Sequence, residues 1–527
     1  MIKKIILFSN TLKYLKFTQL FYQVYYRLKP SKTLNFYTPK NKTFHFKKLL
    51  FKFNISAHSI IKPYNNFNFL NISKQFPENV DWNFLDYGKL WNYNLQYFNF
   101  LHQPDLDKTI KDYLLLDITK WLKNGKLKLE PYPVSLRTMN TIRYCSSQEN
   151  SNEDIVADIY SQLNYLSKRL EFHILGNHLL ENAFALMMGG AAFDEKLWIN
   201  TSKQLLYKQL HEQIVEDGAH FELSPMYHQI ILFRVLELID WYQNYDKLDE
   251  AFLLFLNKKA SKMLAWLKTI SFKNGDIPHL NDSAPGIALS TPDLFKFAEK
   301  IGVYAIPDFS LKESGYRKYT GGNYECVMDV NGISPDYQPG HNHADHLSFV
   351  LYVKDKPFIV DPGTSTYAIS ERRQWERSSK AHNTVTVDDQ NQSQVWGGFR
   401  VGKRANVKLL NDSASFVKAS ISYTTESGKR IIHTREFNYS DKSIAINDKL
   451  KVQNLGCSRF YMHPDIILKS MEGNKIVFND GIMLNFANVD HILVKDYSFA
   501  YGFNKLKSAK VLEVYFKNTC ATTILID

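Results

Sequence analysis

The spacing of apolar residues changes once along this 527-residue chain, and that change limits the folds it can adopt. From about 105 to 305, apolar residues recur at steps of three and four, which predicts consecutive amphipathic helices. From about 318 onward the step is two, which predicts short strands joined by Gly, Asn and Asp turns. The change falls near Ile306 and Pro307. We therefore predict an α+β multidomain protein, in which a helical domain precedes a C-terminal antiparallel β-sandwich and a cleft lies between them.

The individual segments follow the same two spacings. Helices are predicted at 107–123, 153–170, 176–190, 201–215, 225–243 and 247–269. Short breaks between these helices indicate antiparallel pairs, as in a bundle, a solenoid or an α/α toroid. Strands are predicted at 346–353, 383–388, 415–424, 430–438 and 443–452.

The charge of the chain indicates an anionic partner. The formal net charge is +12, with 65 Lys and Arg against 53 Asp and Glu. The sequence has no run of basic residues, no zinc-finger spacing and no RNP-like motif, so we do not expect nucleic acid as the partner. An anionic polysaccharide or an acidic membrane surface fits the dispersed charge better.

Several kinds of reactive site are not found in the sequence. Four scattered cysteines without a CxxC pair argue against a disulfide framework and against a thiolate zinc site: Cys145, Cys326, Cys457 and Cys520. The sequence contains neither a nucleophile elbow nor a glycine-rich phosphate loop. We expect no redox cofactor.

The N-terminal residues resemble a signal peptide, but the apolar run before Ser9 has only four residues and is too short. No later stretch reaches transmembrane length, so we expect a cytoplasmic chain, or a periplasmic one if it is exported by another route. Residues 11–28 predict a basic, aromatic amphipathic helix that either packs on the protein or touches a membrane surface weakly. The cations available for such a contact are Lys13, Lys16, Arg27, Lys29 and Lys32.

Three histidines and an aspartate stand out in the β-rich half. His341 and His343 lie two residues apart before a predicted strand, Asp361 precedes a Pro-Gly turn, and His382 follows further on. Imidazole nitrogen and carboxylate oxygen suit Zn²⁺, which they bind at about 2.0–2.2 Å. The sequence therefore predicts one divalent ion in a structural role. The alternative is that these side chains only hydrogen-bond loops together.

The strand register extends this interpretation. If the hairpin after the predicted strand 346–353 turns near Asp355, Asp361 lies opposite Phe349 and Tyr367 lies opposite His343. That register would place these polar side chains at one end of one ladder. A slip by one residue would send half of them to the other face of the sheet.

A second group of polar residues occurs in the helical half. Asn177 and His178 open a predicted helix, where an amide, an imidazole and free backbone N–H groups can meet an anion. Ser224 is a plausible N-cap and Pro225 suits the first helical position, which places Tyr227 in the first turn.

Elimination across a uronic acid would use both groups of polar residues, the one in the β-rich half and the one in the helical half. The reaction needs a neutralised carboxylate, a base for the C5 proton and an acid for the departing O4 oxygen. Amide, imidazole and phenol side chains can supply all three. A glycoside hydrolase remains the alternative, since it needs two carboxyl groups and Glu181, Glu222 and Asp345 are available.

Eight motifs in a fixed order resemble the heparinase II/III family of polysaccharide lyases, over roughly residues 80–520. They are Leu90 to Phe98, Glu130 to Arg137, Asn177-His178, Glu222 to His228, Asn281 to Ser283, His341 to Asp345, Asp361 to Thr364, and Arg377 to Val385. The resemblance implies an incomplete α/α toroid followed by an antiparallel β-sandwich. The expected divisions are a basic N-terminal segment 1–75, a toroid 76–306 and a sandwich 315–527.

The same resemblance implies roles for single residues. Asn177 and His178 would neutralise the substrate carboxylate. Tyr227 would act as the acid and could also act as the base, with His341 and Tyr367 completing the proton transfers. The remaining implied roles are metal binding by His343, Asp361 and His382, and substrate binding by Arg137 and Glu222.

The function implied is a lyase that acts on an anionic, uronic-acid-containing polysaccharide, with a link to capsule or exopolysaccharide metabolism. Two alternatives remain. One is the glycoside hydrolase, and the other is a catalytically inactive protein that binds or assembles a polysaccharide. The sequence makes no prediction of the oligomeric state.

Overall fold

The structure is a computed structural model that describes residues 2–526, apart from 30–33, 35, 39–44, 63–64, 426 and 452–453. Helices fill the first part of the chain and antiparallel strands fill the second, in the predicted order. The helices are Ile2–Leu12 (α1), Phe17–Leu28 (α2), Lys89–Tyr97 (α3), Lys108–Lys123 (α4), Pro131–Ser147 (α5), Glu153–Leu166 (α6), Gly176–Phe193 (α7), Lys196–Gln213 (α8), Pro225–Tyr242 (α9), Glu250–Ile270 (α10), Thr291–Lys300 (α11) and Glu371–Glu376 (α12).

The strands form antiparallel sheets. Those outside the largest sheet are Ile60–Ile61 (β1), Asn66–Phe69 (β2), Ile72–Gln75 (β3), Tyr316–Thr320 (β4), Tyr324–Asp329 (β5), Phe349–Val353 (β6), Lys356–Ile359 (β7), Val385–Val387 (β8), Val395–Trp396 (β9), Arg400–Val401 (β10), Leu455–Tyr461 (β15), His491–Gly502 (β19) and Lys505–Lys517 (β20). The eight-stranded sheet contains Asn406–Ser413 (β11), Phe416–Thr424 (β12), Arg430–Ser440 (β13), Ser443–Leu450 (β14), Leu468–Glu472 (β16), Lys475–Phe478 (β17), Met483–Ala487 (β18) and Thr519–Leu525 (β21).

The sheets of the second half enclose a core of their own. The eight-stranded sheet has the order β11-β12-β13-β14-β21-β18-β17-β16, and two four-stranded sheets have the orders β19-β20-β15-β8 and β4-β5-β6-β7. Apolar side chains of all three sheets share one buried cluster, which includes Phe349, Phe437 and Phe460. Alternate residues of β12 and β13 are buried, as expected for strands with one face on a core. This is the predicted antiparallel β-sandwich.

The start of α9 follows the prediction from its sequence. The hydroxyl of Ser224 accepts a hydrogen bond from the backbone N–H of Tyr227 at 3.3 Å, and Pro225 occupies the first helical position. A Ser N-cap satisfies a backbone donor that the helix leaves free, and proline there loses no helical hydrogen bond. Tyr227 is therefore fixed in the first turn of α9.

The hairpin of β6 and β7 agrees with the predicted register at one pair; nearer the turn, the pairs Tyr352–Pro357 and Val353–Lys356 are offset from it by one residue. Leu351 lies opposite Ile359, as predicted. The ladder does not continue, because Ile359 bridges to Met462 and the chain leaves β6. The two pairs predicted beyond this point do not form a ladder: Asp361 with Phe349 and Tyr367 with His343.

The first two helices contact both halves of the protein. The indole of Trp396 in β9 donates to the Thr11 hydroxyl of α1 at 3.1 Å. The phenol of Tyr26 in α2 donates to the Leu170 carbonyl in the helical half at 2.7 Å. Among the described residues, no helix has both the length and the apolar character needed to cross a membrane.

Candidate active site

Asn177 lies in the first turn of α7 and is held by Glu222. Its side-chain Nδ2 donates to both carboxylate oxygens of Glu222, at 3.1 and 2.9 Å, and its backbone N–H donates to one of them at 3.2 Å. The preceding Gly176 has a φ of +57°, and a Cβ there would collide with Glu222 and Gln338. This close approach requires glycine next to Asn177.

His178, the next residue, is oriented by a carboxylate. Its Nδ1 lies 3.1 Å from Glu171 Oε1, and its ring packs against Tyr132 with 4.4 Å between centroids. Burial opposes a charge on the imidazole, but the Glu171 carboxylate outweighs it and raises the pKa of His178. Since Glu171 engages Nδ1, Nε2 is the nitrogen that a ligand can use, and the side chain is 27% exposed.

The structure brings Tyr227, His341 and Tyr367 together from both halves of the chain. The rings of Tyr227 and His341 are stacked, with 3.8 Å between centroids and 28° between planes. The hydroxyls of Tyr227 and Tyr367 are 3.4 Å apart. His341 Nε2 lies 3.7 Å from Glu222 Oε2, so Glu222 connects this trio to Asn177. The five predicted catalytic residues therefore occupy one continuous site.

Both tyrosines are protonated phenols in the free protein. Burial, together with the nearby Tyr367, raises the pKa of Tyr227 well above its ordinary value. Burial and the Asp282 carboxylate likewise raise the pKa of Tyr367. At neutral pH the two side chains are hydrogen-bond donors and potential proton donors.

Asp282 is a carboxylate that binds several side chains of the site, although no role was predicted for it from the sequence. Arg373 donates to both of its oxygens, His341 Nδ1 lies 3.0 Å from Oδ2, and His343 Nε2 lies 2.9 Å from Oδ1. Thr364 adds a further hydrogen bond at 3.2 Å. Burial alone would raise the pKa of this carboxyl, but Arg373 and the two histidines hold it well below its usual range. Asp282 thus stays ionised and fixes the His341 ring.

The three predicted metal ligands lie in one buried group. His382 Nδ1 is 2.6 Å from Asp361 Oδ2, and the His343 and His382 rings are 5.3 Å apart. Within the described part of the chain, no three His, Cys, Asp or Glu side chains are arranged around a ready-made ion site. However, His343 Nδ1, His382 Nε2 and Asp345 Oδ2 are buried with no hydrogen-bond partner among the described residues. Unsatisfied buried ring nitrogens are costly, so this donor set fits a metal.

The two predicted substrate-binding residues are both buried. Arg137 is 1% exposed and donates to Gln162 at 2.8 Å and to the Gln96 carbonyl at 3.2 Å, inside the helical half. Its Nη2 has no partner among the described residues, so the contact with substrate stays a prediction. Glu222 is fully buried, and its contacts are those of a side chain that orients Asn177.

Strained backbone accompanies the site. Leu175, Leu223 and Asn281 are non-glycine residues with φ of 69°, 54° and 56°. Each stands within a few residues of a site side chain in its own loop. Left-handed conformations cost such residues energy and persist only where the surroundings impose them. Three residues with this conformation therefore lie in loops that carry side chains of the site.

Curated relatives match parts of this chain. A heparin-sulfate lyase from Pedobacter heparinus is 27% identical over 260 residues, which are 44% of this chain and 38% of that protein. A heparin-sulfate lyase from Bacteroides thetaiotaomicron is 24% identical over 370 residues, which are 61% of this chain and 51% of that protein. The chain thus spans about half, or less, of the length of these curated relatives.

Solved structures share the fold. A crystal structure of heparinase III superposes with a TM-score of 0.64 at 17% identity, covering 86% of this chain and 80% of that one. A heparan sulfate lyase from Pedobacter heparinus gives a TM-score of 0.56 at 17% identity, with 88% and 81% covered. The predicted incomplete α/α toroid followed by an antiparallel β-sandwich is confirmed.

Family profiles cover most of the chain. The one described as Heparinase II/III N-terminus matches residues 139–300. The one described as Heparinase II/III-like, C-terminal, matches residues 305–525. The two matches are consecutive, and they include every predicted catalytic residue. The chain belongs to the heparinase II/III family.

Proposed function

We propose that this protein is a polysaccharide lyase that cleaves a 1,4-linked, uronic-acid-containing polysaccharide by β-elimination. The observation that carries the proposal is the stacking of Tyr227 on His341 at 3.8 Å, with Tyr367 beside the Tyr227 hydroxyl. Two groups that can transfer protons are thereby held in contact at the junction of the two halves. Membership of the family and the heparin-sulfate lyases among the relatives support the same reaction.

Elimination begins with the C6 carboxylate of the uronic acid. Its negative charge opposes removal of the C5 proton, so the site must neutralise it before the base can act. His178 is suited to this role, because Glu171 raises its pKa against the effect of burial and so favours the charged imidazole, and leaves Nε2 free for the substrate. The Asn177 amide lies beside it in the first turn of α7 and becomes a neutral donor for the substrate when it exchanges one of its two hydrogen bonds to Glu222 for the C6 carboxylate.

The proton transfers can be divided between His341 and Tyr227. A carboxylate accepts from an N–H, so the bond to Asp282 places the proton on His341 Nδ1 and the lone pair on Nε2. His341 Nε2 then removes the C5 proton. Tyr227, whose raised pKa keeps its phenol protonated, gives its proton to the departing O4 oxygen. Tyr367 positions the Tyr227 hydroxyl.

A glycoside hydrolase is less well supported by the carboxyl groups of the site. Hydrolysis needs one carboxylic acid and one carboxylate that both reach the scissile bond. Glu181 is fully buried and ion-paired to Arg234 at 2.9 Å, and Glu222 is engaged by Asn177. Asp345 is also buried. None of these three is placed to contact a polymer, which favours the lyase.

We also propose that His343, Asp361 and His382 hold one structural divalent ion, for which Zn²⁺ is the best candidate. The buried, unpartnered nitrogens of His343 and His382 support this assignment. A bound ion would supply fixed coordination at the end of the loop that carries His341. His343 is two residues from His341, so its position sets where the catalytic imidazole can lie.

The activity is tested with a panel of anionic polysaccharides: heparan sulfate, alginate, hyaluronan and the capsular polysaccharide of the organism that encodes the chain. A lyase creates an unsaturated uronide that absorbs in the ultraviolet, and we expect that absorbance with at least one substrate. New reducing ends without this ultraviolet absorbance would show that the protein is a hydrolase. Retained binding to an immobilised polysaccharide, with no product from any substrate, would identify a binding or assembly protein.

A further inference from the structure

Helix α2 is packed with its apolar stripe facing away from the protein. Phe17, Phe21, Val24 and Leu28 follow steps of four, three and four, and so share one face of the helix. Their side chains are 81%, 50%, 55% and 79% exposed. A surface helix of a globular protein normally turns such a stripe toward the core. In α2 the orientation is reversed.

Contacts on the opposite face fix that orientation. Gln19 is buried, and its amide donates to the carbonyls of Ile174 and Tyr337, at 3.2 Å each. Tyr22 stacks on Phe172 with 4.8 Å between ring centroids. A buried amide with two hydrogen bonds is costly to displace. The exposed stripe is therefore a fixed feature of the folded protein.

Helix α1 adds an apolar groove beside the β9–β10 hairpin. Ile5, Phe8, Leu12 and Trp396 line it, together with the cations of Lys4 and Arg400. The Arg400 guanidinium lies over the Trp396 ring at 4.7 Å. A surface that meets a membrane interface typically combines apolar side chains, a tryptophan and cations, as this groove does.

The positive excess of the chain lies in its first 77 residues, which include both helices. The first 77 residues contain 14 Lys and Arg and no Asp or Glu, whereas the remaining 450 contain 51 Lys and Arg against 53 Asp and Glu. The entire positive excess therefore lies in this segment. Lys13, Arg27 and Lys29 are exposed on or next to the two helices, while Lys32 falls outside the described residues.

We infer that α1 and α2 bind the surface of a lipid bilayer that contains anionic phospholipid. A polyanion would use the cations and leave the stripe of α2 in water, whereas a lipid surface accommodates both. The loops that α2 contacts lead directly into the active site, since Ile174 precedes Asn177 and Tyr337 precedes His341. The bilayer would thus lie close to the mouth of the cleft.

The test is co-sedimentation of the full chain with vesicles, in the absence of any polysaccharide. Vesicles of phosphatidylcholine with about one-third phosphatidylglycerol are compared with vesicles of phosphatidylcholine alone. We expect binding to the anionic vesicles at low salt and its loss at about 1 M salt, where the Debye length is about 3 Å. The double variant F17S/F21S should partition at least about tenfold less, because two apolar anchors are lost.

A matched control separates the stripe from apolar exposure in general. Leu197 and Leu254 are 73% and 55% exposed elsewhere on the helical half, and L197S/L254S should bind as the wild type does. Circular dichroism confirms that each variant is folded. The inference is wrong if the wild-type protein stays in the supernatant with anionic vesicles at low salt. It is also wrong if F17S/F21S binds these vesicles as strongly as the wild type does. If F17S/F21S instead converts a dimer to a monomer and no vesicle binding occurs, the stripe contacts a second copy and the membrane inference is wrong.

Discussion

Arg373 and Asp282 form a fully buried, two-pronged ion pair that joins the β-sandwich to the helical half. Arg373 Nη2 lies 2.7 Å from Asp282 Oδ2, and Nη1 donates to the other oxygen. Both side chains are completely shielded from solvent. A buried charge that loses its partner is strongly destabilising, at about 3–5 kcal/mol. The pair therefore links the stability of the interface to the orientation of His341, which Asp282 also holds.

The substitution Asp282→Asn tests this link. It keeps the shape of the side chain but leaves the Arg373 guanidinium without a counter-charge, so we expect the free energy of unfolding to fall by about 3–5 kcal/mol. Turnover should fall as well, because Nδ1 of His341 loses its carboxylate acceptor. Chemical unfolding followed by fluorescence measures the first effect. Asp246→Asn, which removes an exposed partner of Lys47, is the control and should leave stability near that of the wild type. Equal stability of both variants would contradict the prediction.

Tyr227→Phe should remove activity and leave the fold intact. Among the described residues, the hydroxyl hydrogen-bonds only to that of Tyr367, at 3.4 Å, so its loss costs little stability. As a general acid, however, it should account for about 10²–10⁴ in turnover. Product formation and thermal unfolding are measured on the same preparation. Tyr304→Phe, which alters an exposed tyrosine, should retain full turnover. A Tyr227→Phe enzyme with near-normal rates would exclude the phenol from the mechanism.

His382→Ala should release the proposed metal. Elemental analysis of wild-type protein is expected to find close to one divalent ion per chain, and the variant should contain almost none and unfold at a lower temperature. His433→Ala is the matched control, because His433 is equally buried and is paired with Asp448 at 2.7 Å in the eight-stranded sheet. That variant should lose stability but keep its metal. Metal-free wild-type protein of full stability would refute the assignment.

Two buried histidines of the helical half should make the protein sensitive to acid. His228 uses both ring nitrogens in its neutral form, since Nδ1 accepts from the His220 backbone N–H and Nε2 donates to the Met263 carbonyl. Burial lowers the pKa of His228 to about 3 and that of His220 to about 4. An unfolded chain binds these protons at about pH 6.5. Between the folded-state pKa values of about 3 and 4 and the unfolded-state value of about 6.5, the unfolded state holds more protons than the folded state.

Stability should therefore be complete above about pH 6.5 and fall as the pH is lowered below it, by up to about 1.4 kcal/mol per pH unit for each histidine. Urea unfolding at a series of pH values measures this slope. His228→Gln should be less stable than the wild type at pH 7 but should show a shallower slope below pH 6.5. His491→Gln, at an exposed position, should leave the slope unchanged. Equal slopes in wild type and His228→Gln would remove His228 as a cause.

The helices that the sequence predicted include some with an exposed face and some that are almost wholly buried, such as α7. The prediction for α9 succeeded at its first turn because Ser224 and Pro225 are local signals. Helix α5 was missed. Every residue from Pro133 to Cys145 is buried, including polar ones such as Arg137 and Asn140, so polar side chains do not mark an exposed face of this helix. The two prolines at its start are also typical of a loop sequence.

The site was predictable to the extent that its chemistry follows from residue type. The residue types suggested that a phenol and an imidazole share the proton transfers, and the resemblance to the family assigned these roles to Tyr227, His341 and Tyr367. The role of Asp282 was not, since it depends on Arg373, which lies 91 residues away. Such a pair forms only when two domains close on each other, and no spacing in the sequence expresses that. The ladder pairs predicted from the hairpin of β6 and β7 did not form because β7 ends at Ile359, which also bridges to Met462 within the β-sandwich, a long-range contact that the hairpin spacing does not express.

The stacking of Tyr227 on His341 has a consequence for the timing of the reaction. Tyr227 belongs to the toroid and His341 to the sandwich, so any motion that widens the cleft pulls the two rings apart. An open molecule can admit a polymer but has no assembled acid–base pair. In the proposed elimination, the acid and the base are therefore assembled only while the toroid and the sandwich are in contact at this stack.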